Sequence, residues 1–373
     1  MCLLNIAKRE ALRIAVRPLY LFCMIIAPVF CYLFFTTLMA NGLPTDLPAG
    51  VVDLDNTSTT RNIIRNLDAF QQTHIVAHYP SVMEARKAIQ RGEIYSFYYI
   101  PEGTTEATLA SRQPKVSFYV NYSYLIAGSL LYKDQRTISE LAAGAVGRAT
   151  LYAKGATEDQ AMAFLQPIVI DTHALNNPWL NYSVYLCNTL FPGILMLLIF
   201  LTTIYTLGEE VKNGTGRELM RLADNSITKV LIGKLLPHTL VFFVIAVFYN
   251  VYLYGYLHYP CHSGIFPMLL AGLLLVLSSQ AFGVFLFGSF RLALSAASLW
   301  GVISFSISGF TFPVMAMHPT LQALSVLFPL RHYFLLYANL ALNGYPLIYA
   351  WHSVVALLIF MLLPFFVLKK LRT

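Results

Sequence analysis

The chain has 373 residues, of which 57% are hydrophobic and 12% are charged, with a formal net charge of +7. Soluble domains carry about 25% charged residues, so this composition excludes an ordinary soluble protein and indicates a polytopic membrane protein. The charges are unevenly placed, because residues 46–180 hold 13 of the 18 acidic and 11 of the 25 basic residues. We therefore expect one polar domain, residues 46–180, inserted into a membrane protein.

The N-terminal segment, residues 1–17, mixes apolar residues with four basic ones, Lys8, Arg9, Arg13 and Arg17. This pattern predicts either a basic amphipathic helix on the cytoplasmic membrane surface or a basic flank before a span. Both interpretations place the N-terminus in the cytoplasm. Residues 18–45 carry no charge, and roughly 20 apolar residues cross a bilayer, so the first transmembrane helix is expected near residues 19–39.

Short apolar runs alternate with helical patterns in the polar domain. Strands are predicted at residues 50–55, 74–78, 94–101 and 116–122, and helices at 57–70, 81–90, 124–153 and 157–164. This alternation is typical of a small α/β domain. Asp55 or Thr57 is expected to cap the first helix, and Ser81 with Glu84 fits a capping box for the second. The last two helices would form a stalk returning to the membrane.

Five further spans are predicted in residues 181–373, near 184–207, 234–256, 266–289, 292–312 and 345–368. The segment 313–333 is apolar but is broken by Pro313, Pro319 and Pro329. It suits a re-entrant pair of half-helices, because non-helical backbone within a bilayer must be covered by protein or water.

The basic residues outside the polar domain predict the topology. Six spans with both termini inside place 13 of these 14 residues in the cytoplasm, and only Arg331 outside. Such a bias predicts an extracytoplasmic α/β domain. Arg331 is expected either to reach the membrane surface or to line a polar pathway.

The loop 208–230 is the one long polar segment between two apolar spans in the second half of the chain. It contains adjacent acids, Glu209 and Glu210, a Gly214-Thr215 turn, and a short charged helix. A short cytoplasmic element of this kind is a suitable binding site for a soluble subunit that drives movement of the membrane helices. The alternative is a plain loop helix that is stabilised by its own i,i+4 pairs.

No motif indicates that the chain binds ATP or catalyses a reaction. Gly233-Lys234 lacks the upstream glycine spacing and the Ser/Thr of a phosphate-binding loop. The nine histidines are scattered and form no H-E-x-x-H motif. We therefore expect a non-catalytic chain without a bound cofactor or metal.

Short motifs along the whole chain carry a family resemblance. They are Lys8-Arg9-Glu10, Arg17-Pro18, Ala27-Pro28, Gly50-Val51-Val52-Asp53, Ile100-Pro101, Asn177-Pro178, Tyr182, Pro192-Gly193, Glu209-Glu210, Gly214-Thr215, Leu219, Gly233-Lys234, Ser308-Gly309, Phe312-Pro313, Met317-His318-Pro319 and Phe328-Pro329-Leu330. Each motif alone has low specificity. Together and in this order they resemble the permease subunits of ABC-2 type exporters.

The resemblance implies a half-transporter with separate ATPase subunits. Two permeases, either identical or siblings, would form the pathway, and two nucleotide-binding subunits carrying ATP and Mg would dock below. The implied coupling residues are Glu209, Glu210, Gly214, Thr215, Arg217, Leu219, Met220 and Arg221. The implied re-entrant or pathway residues are Phe312, Pro313, Pro319, Pro329 and Arg331.

The sequence thus favours an inner-membrane exporter of a hydrophobic or amphipathic substrate, such as a drug, lipid or peptide. The large outer domain favours a periplasmic adaptor as a further partner beside membrane lipids, and no nucleic acid is expected. One alternative is a membrane-anchored sensor or assembly factor whose outer domain binds a ligand. Another is an ATP-independent secondary transporter, which predicts buried acids within the spans for ion coupling, and we identify none there.

Overall fold

Two compact units make up the structure, a computed structural model that describes residues 2–110, 112–178 and 180–372. The inserted domain covers Asn41–His173, and the helical unit joins Met1–Ala40 to Ala174–Thr373. The sequence pattern places the boundaries at residues 46 and 180 instead. Residues 174–178 lie with the helical unit, where the Asn176 amide donates a hydrogen bond to Asn343 (3.3 Å).

An amphipathic helix, α1 (Cys2–Val16), opens the helical unit and is followed by the apolar helix α2 (Pro18–Leu38). On one face of α1, Ile6, Glu10 and Ile14 recur every fourth residue and are at most 9% exposed. This spacing is that of one helical face. The face therefore packs against the protein, and it carries a buried carboxylate between two isoleucines.

The inserted domain is built on a four-stranded sheet with the order β2-β1-β3-β4. Its strands are β1 (Leu47–Asp53), β2 (Thr73–His78), β3 (Ser96–Ile100) and β4 (Ser117–Val120). β1 is parallel to β2 and β3, whereas β4 is antiparallel to β3. Its helices are α3 (Ser58–Asp68), α4 (Val82–Gln90), α5 (Thr104–Leu109), α6 (Leu125–Ala153) and α7 (Glu158–Leu165). The predicted α/β domain is confirmed, and only the short α5 has no counterpart in the sequence pattern.

Helices cover both faces of this sheet. In β1, Val51 packs with Ile64 of α3 on one face, and its neighbour Val52 packs with Ala88 of α4 on the other. Successive strand side chains point to opposite faces. The unbroken apolar run in β1 therefore follows from a parallel sheet buried on both sides.

Hydroxyl side chains begin the first two helices of the inserted domain. Thr57, not Asp55, caps α3 by accepting a hydrogen bond from the Thr60 amide (3.2 Å), and Thr60 accepts one from the Thr57 amide (3.0 Å). Ser81 caps α4 by accepting from the Glu84 amide (3.3 Å). Each cap satisfies an N–H group that lacks a partner inside the helix.

The helical unit continues after the inserted domain through a series of mostly apolar helices. They are α8 (Tyr182–Lys212), α9 (Gly216–Leu222), α10 (Ile227–Tyr256), α11 (Ile265–Ser289), α12 (Ala293–Ile307), α13 (Pro319–Ser325), α14 (Pro329–Tyr337), α15 (Leu347–Phe366) and α16 (Leu368–Arg372). Within the described residues, five helices (α2, α8, α10, α11 and α15) are long and apolar enough to cross a membrane, and α12 is a shorter apolar helix. The predicted polytopic helical fold is confirmed.

Helix α11 lies at the centre of the helical unit, packed against α8, α10, α14 and α15. It is the most buried of the five long apolar helices, whereas α2 and α15 are the most exposed. Small residues allow close helix contacts: a Cβ on Gly193 of α8 would clash with the Phe305 ring of α12. Close approach through small residues is the usual way for apolar helices to associate in a membrane.

The proline-broken segment 313–333 folds into two short helices, α13 and the first part of α14. Proline occupies the first position of both helices, where its missing N–H costs nothing. The second helix extends beyond residue 333, since a π-helical turn, Ala338–Leu342, continues α14. Two half-helices are therefore present, and their re-entrance into a membrane remains a prediction.

Candidate functional site

A tight turn places the short helix α9 directly after α8. The last residues of α8 lead into Gly214, whose φ of +67° lies in the left-handed region that glycine adopts without strain. The Thr215 hydroxyl then donates a hydrogen bond back to the Glu210 carboxylate. The turn therefore joins α9 to the end of α8 through a side chain as well as through the backbone.

Helix α9 is anchored by one face and exposed on the other. Leu219 is 2% exposed and packs with Ile6 of α1 and Val230 of α10. Arg217, Glu218 and Arg221 are exposed, and Met220 is half-buried. The helix therefore presents a charged face with an excess of one positive charge, while Leu219 holds it against α1 and α10.

Beneath α9 lies a buried ion cluster with Lys234 at its centre. The Lys234 ammonium group is 1% exposed, and it donates to Glu10 of α1 (2.7 Å) and to Glu210 of α8 (2.9 Å). Helices α1, α8 and α10 therefore meet at one cation, although Glu10 lies 224 positions from Lys234 in the sequence. A buried charge is tolerated only where paired charges and hydrogen bonds compensate its desolvation.

Arginines of the N-terminal segment complete the cluster. Arg13 pairs with Glu210, and Arg9 pairs with the same carboxylate at 3.5 Å. Arg17 pairs with Glu209. The side chains of both glutamates are at most 7% exposed. Basic residues of the first 17 positions are thus tied to the end of α8, which explains the concentration of charge at the N-terminus.

Glu10 is the most enclosed acid of the cluster. Burial opposes its ionisation, but a hydrogen bond with His238 and the charge of Lys234 outweigh burial and lower its pKa from 4.5 to about 2. The Thr206 hydroxyl also donates to this carboxylate (2.6 Å), and the His238 Nε2 lies 3.2 Å away. Glu10 therefore stays ionised near neutral pH and fixes α1 against α8 and α10.

The lowered pKa predicts a specific pH dependence of stability. A carboxyl group with a depressed folded-state pKa stabilises the protein above its unfolded pKa, and this contribution is lost as the pH falls. For Glu10 the loss extends from about pH 4.5 towards pH 2 and amounts to roughly 3 kcal/mol. We expect Glu10→Gln to lower the free energy of unfolding at pH 7 and to flatten its decline below pH 5, measured by chemical unfolding in detergent.

The matched control for this prediction is Glu140→Gln, which changes an exposed acid of the inserted domain. Its pH profile should follow that of the unmodified protein. A Glu10→Gln profile that also follows the unmodified protein would show that the Glu10 carboxylate contributes no such stabilisation.

A glycine lets α1 reach the cluster. A Cβ on Gly233 would lie 3.0 Å from the Ile6 side chain and 3.2 Å from the Leu3 carbonyl oxygen. The residue next to it is Lys234, so the Gly-Lys pair combines close backbone approach with the central cation. Gly-Lys pairs also occur in phosphate-binding loops, but here the pair lies within helix α10 and forms a contact between helices.

Gly233→Val tests this contact. The valine side chain requires α1 to move outward, and overpacking of a tight contact typically costs about 1–3 kcal/mol. We expect a lower midpoint of thermal unfolding and faster proteolysis within residues 1–17. Gly144→Val is a suitable control, since nothing lies within 4 Å of a Cβ at Gly144, and an equal loss in both variants would contradict the role of Gly233.

The structure divides the predicted coupling residues into two groups. Glu209, Glu210 and Leu219 are buried and bind residues of the same chain, and their part in coupling stays a prediction. Arg217 and Arg221 face outward. Gly214 and Thr215 form the turn between the groups, and Met220 lies at their border.

The predicted pathway residues differ in their exposure. Phe312, Pro313 and Pro319 are exposed in the segment around α13, whereas Pro329 is buried at the start of α14. Arg331 is half-buried and its Nη1 lies 3.5 Å from the Ser308 carbonyl oxygen. The structure therefore leaves the role of these five residues as a prediction.

Sequence reasoning overlooked the partners inside the cluster, Glu10, Lys234 and His238. Glu10 and Lys234 belong to motifs of the resemblance, yet nothing in the pattern links residues that are 224 positions apart. One signal is available: Lys234 and His238 lie in an apolar helix, and an ionisable residue in such a helix is usually paired.

Comparison with known proteins gives one family match. The family model described as "ABC-2 family transporter protein" matches residues 18–368. No curated protein matches the chain. The family match spans all of the apolar helices described above and the inserted domain.

Proposed function

Since this chain belongs to the ABC-2 family of transporter proteins, we propose that it exports a hydrophobic or amphipathic substrate and that α9 is its docking element for an ATPase subunit. The chain is a multi-pass, non-catalytic permease, and ATP is hydrolysed on a partner nucleotide-binding subunit.

The anchoring of α9 is the observation that supports this proposal most. A docking element must present a surface to the partner and must also be rigidly connected to the helices that it moves. Arg217 and Arg221 supply exposed cations on that surface. Leu219 and the Thr215–Glu210 hydrogen bond connect α9 to α1, α8 and α10.

The ion cluster would transmit the movement. If a nucleotide-binding subunit displaces α9, Glu210 and Lys234 carry the displacement to α8 and α10, because both residues are buried and paired. Arg17 and Glu209 link the same movement to the start of α2. Helices α2, α8 and α10 would then shift together. Packed helices move in this way because they have few alternative arrangements.

Charge distribution supports the orientation in the membrane. With α9 in the cytoplasm, 13 of the 14 basic residues outside the inserted domain lie on the cytoplasmic side. The inserted domain would then lie outside the cytoplasm, where it could receive substrate or contact a periplasmic adaptor. Two permeases, identical or siblings, would enclose the pathway, and the exposed apolar residues of α12, such as Leu299 and Val302, offer a face for that pairing.

Gentle purification from the native membrane tests the proposed function. We expect the full chain to bring down a nucleotide-binding subunit, and the complex to hydrolyse ATP faster when an amphipathic substrate is present. An abundant, folded chain without any ATPase subunit would contradict the docking proposal, and the alternative of a sensor or assembly factor would then take its place.

A further inference from the structure

A cavity of about 670 Å³ lies beside the ion cluster, at the ends of three apolar helices. It is bounded by the end of α8, the end of α11 and the beginning of α12. Helices that cross a bilayer end near its surface. With α8 and α11 as transmembrane helices, the cavity would lie at the level of the lipid head groups, on the same side as α9.

The cavity has an excess of positive charge. Arg17, Lys212 and Arg291 line it, and Glu209 is the single acid among the lining residues. Arg17 pairs with Glu209. Lys212 and Arg291 are exposed. Among residues that the structure describes, no side-chain hydrogen bond or ion pair involves either of them, so two cations are left without a counter-charge.

The start of α12 adds a second feature that attracts anions. This 15-residue helix begins at Ala293, directly in the cavity wall, and no side chain caps it. The first N–H groups of a helix have no partner within the helix and carry a partial positive charge. A helix N-terminus next to two unpaired cations is well suited to bind a phosphate group.

The remaining wall is apolar. Phe287, Phe290, Leu292 and Leu294 line the cavity on the α11–α12 side, and the last three are exposed. A free inorganic anion would gain no binding free energy from these apolar side chains. An amphiphile would place its charged group among the cations and its hydrocarbon chain along the apolar residues.

We propose that this cavity binds the phosphate head group of an anionic phospholipid from the cytoplasmic leaflet, with Lys212 and Arg291 as the recognising residues. Basic pockets between transmembrane helices on the cytoplasmic side bind such head groups. The proposal uses the orientation that is proposed above, but it needs no ATPase subunit. A bound lipid would contact Arg17 and the start of α12, and so would stabilise the part of the permease next to the docking element.

Native mass spectrometry of the purified permease with added phosphatidylglycerol tests the site. We expect each of Lys212→Gln and Arg291→Gln to weaken binding about fivefold and the double variant to weaken it about 25-fold. Lys369→Gln removes an exposed cation near the C-terminus, outside the cavity, and should leave binding within twofold of the unmodified protein. An equal loss in Lys369→Gln would overturn the proposal, because binding would then be a diffuse attraction to positive charge.

Two further ligands separate a lipid from other anions. Phosphatidylcholine has a neutral head group overall and should bind at least tenfold more weakly than phosphatidylglycerol. Inorganic phosphate should not compete with the lipid at equal concentration, since it cannot use the apolar wall. Competition by inorganic phosphate would overturn the lipid assignment, and unchanged lipid binding in the double variant would overturn the site itself. Retention of the ATPase subunit by the double variant is measured in parallel, so failure of docking and failure of lipid binding remain distinguishable.

Discussion

Lys234→Met should destabilise the permease by about 3–5 kcal/mol, because removing one partner of a buried ion pair leaves the other charge uncompensated. Glu10 and Glu210 would both lose their contact with the Lys234 ammonium group, at 2.7 and 2.9 Å. The expected consequences are poor expression, a lower free energy of unfolding in detergent, and release of α1 from the helical unit. Chemical unfolding followed by tryptophan fluorescence measures the free energy.

A double variant keeps this prediction testable even if Lys234→Met fails to fold. Glu10→Gln combined with Lys234→Met removes a charge of each sign, and a buried pair replaced by neutral groups is often tolerated. The double variant should therefore be more stable than Lys234→Met alone. Lys229→Met is the control on the same helix, since its pair with Asp224 is exposed and contributes little. Equal destabilisation by Lys229→Met and Lys234→Met would contradict a special role for the buried cluster.

Arg217→Glu/Arg221→Glu should reduce recovery of the nucleotide-binding subunit at least tenfold without unfolding the permease. Both side chains are exposed, so charge reversal costs the permease little folding stability. Where the two arginines face acids of the partner, reversal places like charges across the interface and costs several kcal/mol of binding free energy. Substrate-stimulated ATPase activity of the purified sample should fall in proportion to the recovery of the nucleotide-binding subunit. Co-purification and the thermal unfolding midpoint of the permease are measured on the same samples.

The structure also determines which variants cannot test docking. Alanine at Glu209, Glu210 or Leu219 would remove buried groups of the cluster or the apolar anchor of α9. Loss of the ATPase subunit in such variants would follow from misfolding alone. Lys369→Glu is the better control for Arg217→Glu/Arg221→Glu, since it reverses an exposed charge outside α9. Retained binding in the double variant would contradict α9 as the docking element.

Much of the fold is predictable from local sequence patterns. The four strands and the main helices of the inserted domain follow from alternation of apolar runs and from cap residues such as Thr57 and Ser81. The apolar helices follow from length and lack of charge, since a bilayer imposes both. The short helix α5 is missed because its six residues carry no clear periodicity.

The candidate site was predictable only in part. The loop helix α9 is visible in the sequence as a polar interruption, and its turn is marked by Gly214. The ion pairs of Glu209 and Glu210 could not be predicted, because their partners Arg17 and Lys234 lie outside α8. Long-range ion pairing leaves no periodic signal in a single sequence, so exposed and buried acids look alike there.

Site-specific photo-crosslinking tests the central claim most directly. A photoreactive amino acid is placed at Arg217 or Arg221 in the full chain, within the native membrane, with Arg86 of the inserted domain as the control position. We predict a covalent adduct with the nucleotide-binding subunit from positions 217 and 221, and none from position 86. An adduct from position 86, or none from either position of α9 while the two subunits still co-purify, would contradict the assignment of α9 as the coupling element.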